Sequence, residues 1–110
     1  MADSTTELEP KLAQTVRRLV AVFQPVRIYL FGSKARGDAG PDSDYDLLVI
    51  VPDDAPEERR HSRYAYDLMW GIGAAVDIVV WGDTSFRKRA RVVTSLPATV
   101  LREGRLVYGA

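Results

Sequence analysis

The chain has 110 residues, in which fifteen basic and fifteen acidic side chains cancel and cysteine is absent. This composition excludes disulfides and thiolate metal sites, and it provides no overall electric field that would attract nucleic acid or an anionic membrane. No run of about 18 apolar residues occurs and the N-terminus is polar, so we expect a cytoplasmic protein without a membrane span or signal peptide. At this length we expect one domain, residues 1–110, with a core of its own.

The first half of the chain alternates helical and strand patterns. Apolar residues at helical spacing follow Pro10 and end before Pro25, which predicts an amphipathic helix between these two prolines. Residues 26–31 are β-branched and aromatic and are predicted as the first strand. A turn with a short helical piece is predicted at residues 32–37, and a loop rich in Gly, Pro, Asp and Ser at residues 38–43.

The second half is predicted to begin with a central strand at residues 45–51, because this stretch is almost continuously apolar. The later elements are a helix that opens at Pro56 and stops near residues 71–73, a strand at residues 75–81, a helix capped by Thr84 or Ser85 and interrupted by Pro97, and a short strand within residues 101–108. This order predicts a small α/β fold with a mixed sheet of three or four strands packed against helices.

Two carboxylates stand one residue apart where the second predicted strand begins. Side chains alternate along a strand, so Asp44 and Asp46 should share one face with Cα atoms about 6.5 Å apart. Their repulsion favours a cation or proton between them, and Mg²⁺ prefers such oxygen ligands, usually shared with phosphates. Asp77 is the single charge of the third predicted strand, where a buried charge is costly unless it is paired or coordinated. These three residues are our candidate metal ligands; a solvated loop end is the alternative for the pair.

A glycine and a serine, Gly32 and Ser33, directly follow the first predicted strand. Glycine permits positive φ and close approach to the backbone, so Gly32 could admit a phosphate that Ser33 binds through its hydroxyl and amide. An ordinary turn is the alternative. Lys34 and Arg36 could also contact phosphate, and Arg36 could instead buttress the acidic loop that follows. Gly32, Ser33 and Arg36 are our candidate nucleotide-binding residues.

Two basic clusters occur in the predicted helices, at residues 59–63 and 87–91. Such clusters usually form a solvated helix face, and a surface for a partner or polyanion is the alternative. His61 is the only histidine and lies in a charged helix start, so we predict a surface side chain rather than a ligand or base.

The spacing of the candidate residues resembles that of a known enzyme superfamily. Gly32-Ser33, ten intervening residues and Asp44-x-Asp46, with Asp77 on a later strand, are similar to the motif of the DNA polymerase β-like nucleotidyltransferases. The runs Gly-Ser-x-Ala-Arg-Gly and Ser-Asp-x-Asp-Leu, and the closing residues 101–108, resemble the minimal nucleotidyltransferases in particular. This resemblance covers nearly the whole chain and implies a single nucleotidyltransferase domain.

The resemblance implies a metal-dependent transfer of AMP from ATP. Asp44, Asp46 and Asp77 would bind two Mg²⁺ ions, and an acceptor hydroxyl would attack the α-phosphate while Gly32 and Ser33 hold the departing phosphates. Most of the rate in such a reaction comes from positioning and charge neutralisation.

The acceptor is also inferred from the resemblance. Relatives that modify antibiotics or extend nucleic acids carry an extra domain that presents the acceptor, and we expect neither such a domain nor a nucleic-acid substrate here. Minimal nucleotidyltransferases are often paired with a HEPN-family ribonuclease toxin, which implies a protein adenylyltransferase antitoxin that modifies a tyrosine of the toxin and forms a hetero-oligomer with it. The alternatives are an antitoxin that neutralises the toxin by binding alone, and a small-molecule nucleotidyltransferase that acts as a homodimer.

Overall fold

Helices and strands alternate along the computed structural model of the chain, which describes residues 9–37, 44–66, 73 and 75–109. The strands are β1, Arg27–Phe31; β2, Tyr45–Val51; β3, Val76–Gly82; and β4, Arg105–Tyr108. The helices are α1, Pro10–Phe23; α2, Ser33–Arg36; α3, Arg63–Tyr66; α4, Asp83–Arg89; and α5, Leu96–Glu103, with a 3₁₀ turn at Glu57–Arg60. None of the helices in this part of the chain is long and apolar enough to cross a bilayer.

The four strands form one mixed sheet in the order β3-β2-β1-β4. β2 pairs in parallel with β3 and antiparallel with β1, and β1 pairs antiparallel with β4. β2 is therefore internal, and its residues 47–51 are all buried, as expected for a strand that is covered on both faces. The predicted fold class, a small α/β fold with a mixed sheet of three or four strands packed against helices, is confirmed.

One face of the sheet is covered by α1. This helix begins at Pro10, since proline is tolerated in a first helical turn, and it is followed by Gln24 in a left-handed conformation with φ 48° and ψ 56°. Pro25 follows Gln24, so the helix ends before this proline, as predicted. The buried cluster on this face joins helix and strand residues: Leu12, Val16, Leu19, Phe23, Leu47, Val49 and Val51.

The opposite face is covered by α4 and α5. Leu48 and Ile50 of β2 pack there with Phe86 of α4 and Val100 of α5. Because side chains alternate along a strand, Asp46 belongs to the same face as Leu48. The acidic start of β2 thus lies on the face covered by α4 and α5, away from α1.

The prediction of one continuous helix from Pro56 is wrong. The chain forms the 3₁₀ turn and then passes through His61, whose φ of −120° and ψ of 134° are extended, before the separate short helix α3 begins. An extended residue breaks the helical hydrogen-bond ladder, so the two pieces cannot merge. The predicted end near residues 71–73 lies largely outside the described residues.

The third predicted helix is two helices. Pro97 lies in the first turn of α5 instead of interrupting a helix, and Ser95 caps that turn by accepting the N–H of Ala98 at 3.2 Å. Neither Thr84 nor Ser85 caps α4, whose N-cap position is held by Gly82. The last strand is confirmed, although it begins only after α5 has ended at Glu103.

Candidate functional site

Three strands begin or end at the same end of the sheet, which we call the carboxylate edge. Because β1 runs antiparallel to β2 and β3, its C-terminal end lies beside their N-terminal ends. Asp46 lies opposite Phe31 of β1 on one side and opposite Asp77 of β3 on the other. Gly32 directly follows Phe31. The glycine corner and two of the three candidate carboxylates therefore come together in the structure.

Asp46 and Asp77 occupy the centre of this edge. Register partners on neighbouring strands lie about 4.8 Å apart and project to the same face. The expectation that Asp77 stands inside a buried strand is wrong: it is the second residue of an edge strand and is exposed. Water offsets the cost of its charge, so its place beside Asp46 results from strand register and not from a need for a buried partner.

The carboxylates at this edge act on one another electrostatically. Partial burial raises the pKa of the Asp46 carboxyl, and the negative charges of Asp77 and then Asp44 raise that pKa further, whereas the positive charge of Arg36 lowers it. A carboxylate whose ionisation is opposed in this way is stabilised by any cation that approaches it. The arrangement therefore favours a proton or a metal ion at Asp46.

Asp44 stands immediately before β2 and is exposed. It lies close enough to Asp46 to act on the charge of that residue. However, in residues 9–37, 44–66, 73 and 75–109 no group of three or more acidic, histidine or cysteine side chains is arranged so that it could hold a metal ion. The structure thus pairs Asp46 with Asp77 and does not gather Asp44 with them, and the three-ligand metal site remains a prediction.

The donor atoms present at this edge nevertheless suit Mg²⁺. This ion takes oxygen ligands, commonly one or two carboxylates together with substrate phosphates and water. Asp46 and Asp77 would supply two carboxylates from register-paired positions, and Asp44 is the third oxygen donor nearby. A bound Mg²⁺ would neutralise charge on a triphosphate and on the crowded carboxylates.

Gly32 fits its place for two independent reasons. Its φ of 73° and ψ of −159° lie in a region that is essentially restricted to glycine. In addition, a Cβ atom at this position would lie 2.2 Å from Oδ2 of Asp46, far inside van der Waals contact. The corner backbone therefore rests against the Asp46 carboxylate, and any side chain would displace it.

Ser33 begins the four-residue helix α2, which is closed by backbone hydrogen bonds. The N–H groups of Ala35 and Arg36 both donate to the Gly32 carbonyl at 3.1 Å, and the Gly37 N–H donates to the Ser33 carbonyl at 3.0 Å. These bonds fix the half-buried Ser33 directly beside the carboxylate edge. The nucleotide-binding role of Gly32, Ser33 and Arg36 remains a prediction.

The two cations of α2 lie in different surroundings. Arg36 is exposed, and its charge lowers the pKa of Asp46, so it acts on the acidic edge. The Lys34 ammonium instead lies 4.8 Å from the ring centroid of Tyr45, a residue of the α1-side cluster. The loop that Arg36 was alternatively expected to buttress lies outside the described residues.

Tyr45 lies between Asp44 and Asp46 in the sequence but belongs to the α1-side cluster, and sequence analysis did not identify its role there. Its side chain is buried on the α1 side, and its hydroxyl donates a hydrogen bond to the Glu9 carboxylate, which precedes α1. Burial, followed by the hydrogen bond and charge of Glu9, raises the pKa of Tyr45 to about 12. The sequence could have predicted that Tyr45 faces α1, because a residue between two aspartates on one face of a strand must point to the other face.

Comparisons with known proteins assign a family to the chain. Residues 9–107 match the model of the nucleotidyltransferase domain. A "putative protein adenylyltransferase" of Methanocaldococcus jannaschii is 33% identical over 86 residues, which span 74% of this chain and 77% of that protein.

Two solved structures have the same fold. A "putative nucleotidyltransferase" from Sulfolobus solfataricus has a TM-score of 0.57 at 23% identity, with 94% of this chain and 81% of that chain covered. A toxin–antitoxin structure with AMP-PNP has a TM-score of 0.59 at 23% identity, with 93% of this chain and 75% of that chain covered. Taken with the carboxylate edge and the glycine corner, the family match shows that the chain belongs to the nucleotidyltransferase domain family.

Proposed function

We propose that this nucleotidyltransferase transfers AMP from ATP to a tyrosine hydroxyl of a HEPN-family ribonuclease toxin, in a Mg²⁺-dependent reaction, and so acts in the cytoplasm as the antitoxin of that toxin. The observation that carries the proposal is the register of Asp46 with Asp77, together with the Gly32 corner that rests on the Asp46 carboxylate. This arrangement offers oxygen ligands for a metal directly beside the glycine corner that we propose as the phosphate-binding element.

The choice of ATP and Mg²⁺ is supported from two directions. The toxin–antitoxin structure of similar fold contains AMP-PNP, an analogue of ATP. The carboxylates of Asp46 and Asp77, with Asp44 nearby, are the hard oxygen donors that Mg²⁺ shares with triphosphates.

The choice of a protein acceptor is supported by the related proteins. The relative from Methanocaldococcus jannaschii bears the name of a protein adenylyltransferase, and the structure with AMP-PNP is a toxin–antitoxin complex. An antitoxin that modifies its toxin would need the toxin itself to present the hydroxyl. The tyrosine and the HEPN identity of the toxin come from the family resemblance.

The proposed step is an in-line displacement at the α-phosphorus of ATP. The tyrosine oxygen forms a bond to this phosphorus, and the bond from the phosphorus to the oxygen that bridges to the β-phosphate breaks. Pyrophosphate leaves with that electron pair, and the hydroxyl proton passes to water. Gly32 and Ser33 would hold the departing phosphates, while Asp44, Asp46 and Asp77 would hold the metal ions that offset their charge.

The test is transfer of label from α-labelled ATP to a purified HEPN-family toxin in the presence of Mg²⁺. Asp44→Asn removes a predicted metal ligand with little change of volume and should lower the transfer by at least about 100-fold. Asp54→Asn is the matched control, because Asp54 is an exposed aspartate in the turn after β2, at the opposite end of that strand from Asp44. Replacing the modified tyrosine of the toxin by phenylalanine should also abolish labelling.

Full labelling by the Asp44→Asn variant would remove Asp44 from the site. Protection of the toxin's target RNA by this inactive variant, at the same occupancy as the unmodified chain, would identify an antitoxin that acts by binding alone. Labelling of an aminoglycoside without any second protein would identify a small-molecule enzyme.

A further inference from the structure

The segment that joins α4 to α5 combines positive charge with exposed apolar side chains. Residues 87–89 and Arg91 are basic and exposed, and they are followed by Val92 and Val93, which are 42% and 74% exposed. Leu101 of α5 is 50% exposed. These three are among only four large apolar side chains that are exposed in the described part of the chain. We call residues 87–93 with Leu101 the α4–α5 surface.

Most of the basic side chains of this surface make no ion pair with the described residues. Arg87 is paired with Asp83 of the same helix, with Nε 3.1 Å from Oδ1. Across the ranges that the structure describes, Lys88, Arg89 and Arg91 make no ion pair. The whole chain has a formal net charge of zero, so the positive charge of this surface is a local excess and does not reflect a basic chain.

The second basic cluster, residues 59–63, is different. Arg59 donates to the Gln24 side chain at 3.0 Å, and Arg60 donates to the backbone carbonyl of Ala55 at 3.0 Å. His61 lies on the surface, as predicted, 2.9 Å from the Glu57 carboxylate. Arg59 and Arg60 are thus held against the folded chain by hydrogen bonds, so their side chains are less free to turn towards a partner.

The exposed valines belong to a segment that is held in shape. One Arg102 nitrogen donates to the Val93 carbonyl at 3.1 Å, and the other donates to the Thr99 hydroxyl at 3.3 Å. The Ser95 hydroxyl donates to the Arg89 carbonyl at 2.6 Å. These bonds fix the backbone on both sides of Val92 and Val93, so their exposure is a property of the folded chain.

The α4–α5 surface also lies on the catalytic side of the molecule. Phe86 of α4 packs on Leu48 of β2, and Asp46 belongs to the same face of that strand. A protein that docks on α4 and α5 would therefore approach the sheet from the side that carries the carboxylates, whereas a protein on α1 would not.

We propose that the α4–α5 surface binds an acidic segment with apolar side chains on the protein that supplies the acceptor hydroxyl; this inference rests on the proposed function. Acidic side chains would pair with Lys88, Arg89 and Arg91, and apolar side chains would cover Val92, Val93 and Leu101. A nucleic acid would satisfy the charges only, because its phosphates gain nothing from exposed valines and leucine. The charged part would mainly accelerate association, and the apolar part would slow dissociation.

The test measures binding and labelling of a purified HEPN-family toxin by three forms of the chain. The first is unmodified, the second carries Lys88→Glu, Arg89→Glu and Arg91→Glu, and the third carries Arg17→Glu, Arg63→Glu and Arg105→Glu. The third form has the same change of net charge, but its exposed arginines are dispersed over α1, α3 and β4. Binding of ATP with Mg²⁺ by all three forms serves as the check that the site is intact.

The second form should bind the toxin about 30-fold more weakly, with slower association and a weaker salt dependence, while the third form changes less than about threefold. Val93→Ser should increase the dissociation rate with little effect on association. Equal binding and labelling by the first and second forms would overturn the docking surface and leave the proposed function standing. Absence of any labelling by the unmodified chain would overturn both. Single-stranded RNA that binds the unmodified chain but not the second form would assign the surface to nucleic acid and overturn the inference.

Discussion

Gly32 and Gly37 lie on either side of α2 and both have positive φ, and among the described residues only Gly32 of this pair lies against a carboxylate, that of Asp46. A Cβ on Gly32 would lie 2.2 Å from Asp46 Oδ2, whereas a Cβ on Gly37 would meet no atom of the described residues within 4 Å. Their φ values are 73° and 79°, so a side chain strains the backbone at either position. The two glycines therefore separate the effect of backbone strain from the effect of displacing the Asp46 carboxylate.

Gly32→Ala and Gly37→Ala should both destabilise the chain, by about 1–3 kcal/mol, because both force a non-glycine residue into an unfavourable conformation. Only Gly32→Ala should also weaken the binding of ATP with Mg²⁺, by at least about tenfold, since the Asp46 carboxylate must move. Urea denaturation gives the free energy of unfolding, and calorimetric titration gives the affinity. Equal affinities of the two variants would show that the contact between Gly32 and Asp46 has no part in the site.

Much of the site at this scale could be predicted from strand geometry alone. Alternation places Asp44 and Asp46 on one face and Tyr45 on the other, and it requires no knowledge of the fold. The contact of Gly32 with Asp46 could not be predicted in this way, because it depends on which residue of β2 lies opposite the end of β1. The expectation that Asp77 is buried was wrong, because an apolar strand sequence does not distinguish an internal strand from an edge strand.

At the scale of the elements, α4 begins without a capping side chain of its own. Gly82 occupies its N-cap position, and the Asp53 carboxylate, from the turn after β2, accepts the backbone N–H of Thr84 at 2.9 Å and also its hydroxyl proton. These bonds, first the hydroxyl and then the N–H, lower the pKa of Asp53, with smaller contributions from Arg60 and Arg87. A residue distant in sequence thus supplies the cap.

The sign of this effect fixes a pH dependence. Because the pKa of Asp53 is lower in the folded chain than in the unfolded chain, the stabilisation is present above about pH 4 and is lost as the pH falls through the lowered value. Asp53→Ala should therefore lower the Tm by roughly 2–5 °C at neutral pH and have progressively less effect as the pH falls below about 4. Differential scanning calorimetry across this pH range measures both quantities.

Asp54→Ala is the matched control for that prediction, because this neighbouring aspartate is exposed and accepts no bond from α4. It should change the Tm by no more than about 1 °C at any pH. A loss of stability for Asp53→Ala that does not diminish in acid would mean that the ionised carboxylate is not the cap.

The periodic elements were predictable, whereas their caps were not. α1 and β2 follow the helical and apolar patterns of their sequences closely, and prolines or polar residues mark their ends. Thr84 and Ser85 have the side chains of capping residues, yet α4 is capped from the turn after β2. Ser95 and Pro97 form a standard helix start, which makes Pro97 the beginning of α5. Local sequence patterns predict where a periodic element lies. They do not predict a cap that a residue distant in sequence supplies, as Asp53 does for α4.

At the scale of the whole molecule, the two faces of the sheet differ in composition. The α1 face is a closed core, and the other face combines the cluster around Phe86 with the carboxylates of β2 and β3. Phe86 stacks on Tyr29 of β1 with ring centroids 6.0 Å apart, so α4 bridges the strands that form the site. The pairing of β2 with β3 is parallel and joins distant residues, which is why the register of Asp46 with Asp77 could not be read from the sequence.

Phe86→Ala should cost about 3–5 kcal/mol, because it leaves a large cavity under α4, and this is a considerable part of the roughly 5–15 kcal/mol that stabilises a domain. The carboxylate edge is built by strand register and by the Gly32 corner, neither of which includes Phe86. A ligand that binds only the folded state adds about 2.7 kcal/mol at one hundred times its Kd. ATP with Mg²⁺ should therefore raise the Tm of Phe86→Ala and that of the unmodified chain alike.

Asp46→Asn provides the opposite case, since it removes the central carboxylate and leaves the cluster around Phe86 unchanged. Its Tm should stay near that of the unmodified chain without nucleotide and should not rise when ATP and Mg²⁺ are added. Thermal melts of the three forms, with and without nucleotide, thus distinguish stability from site integrity. If nucleotide fails to raise the Tm of Phe86→Ala while raising that of the unmodified chain, the helical layer itself holds the carboxylate edge in place, and strand register is not sufficient to build the site.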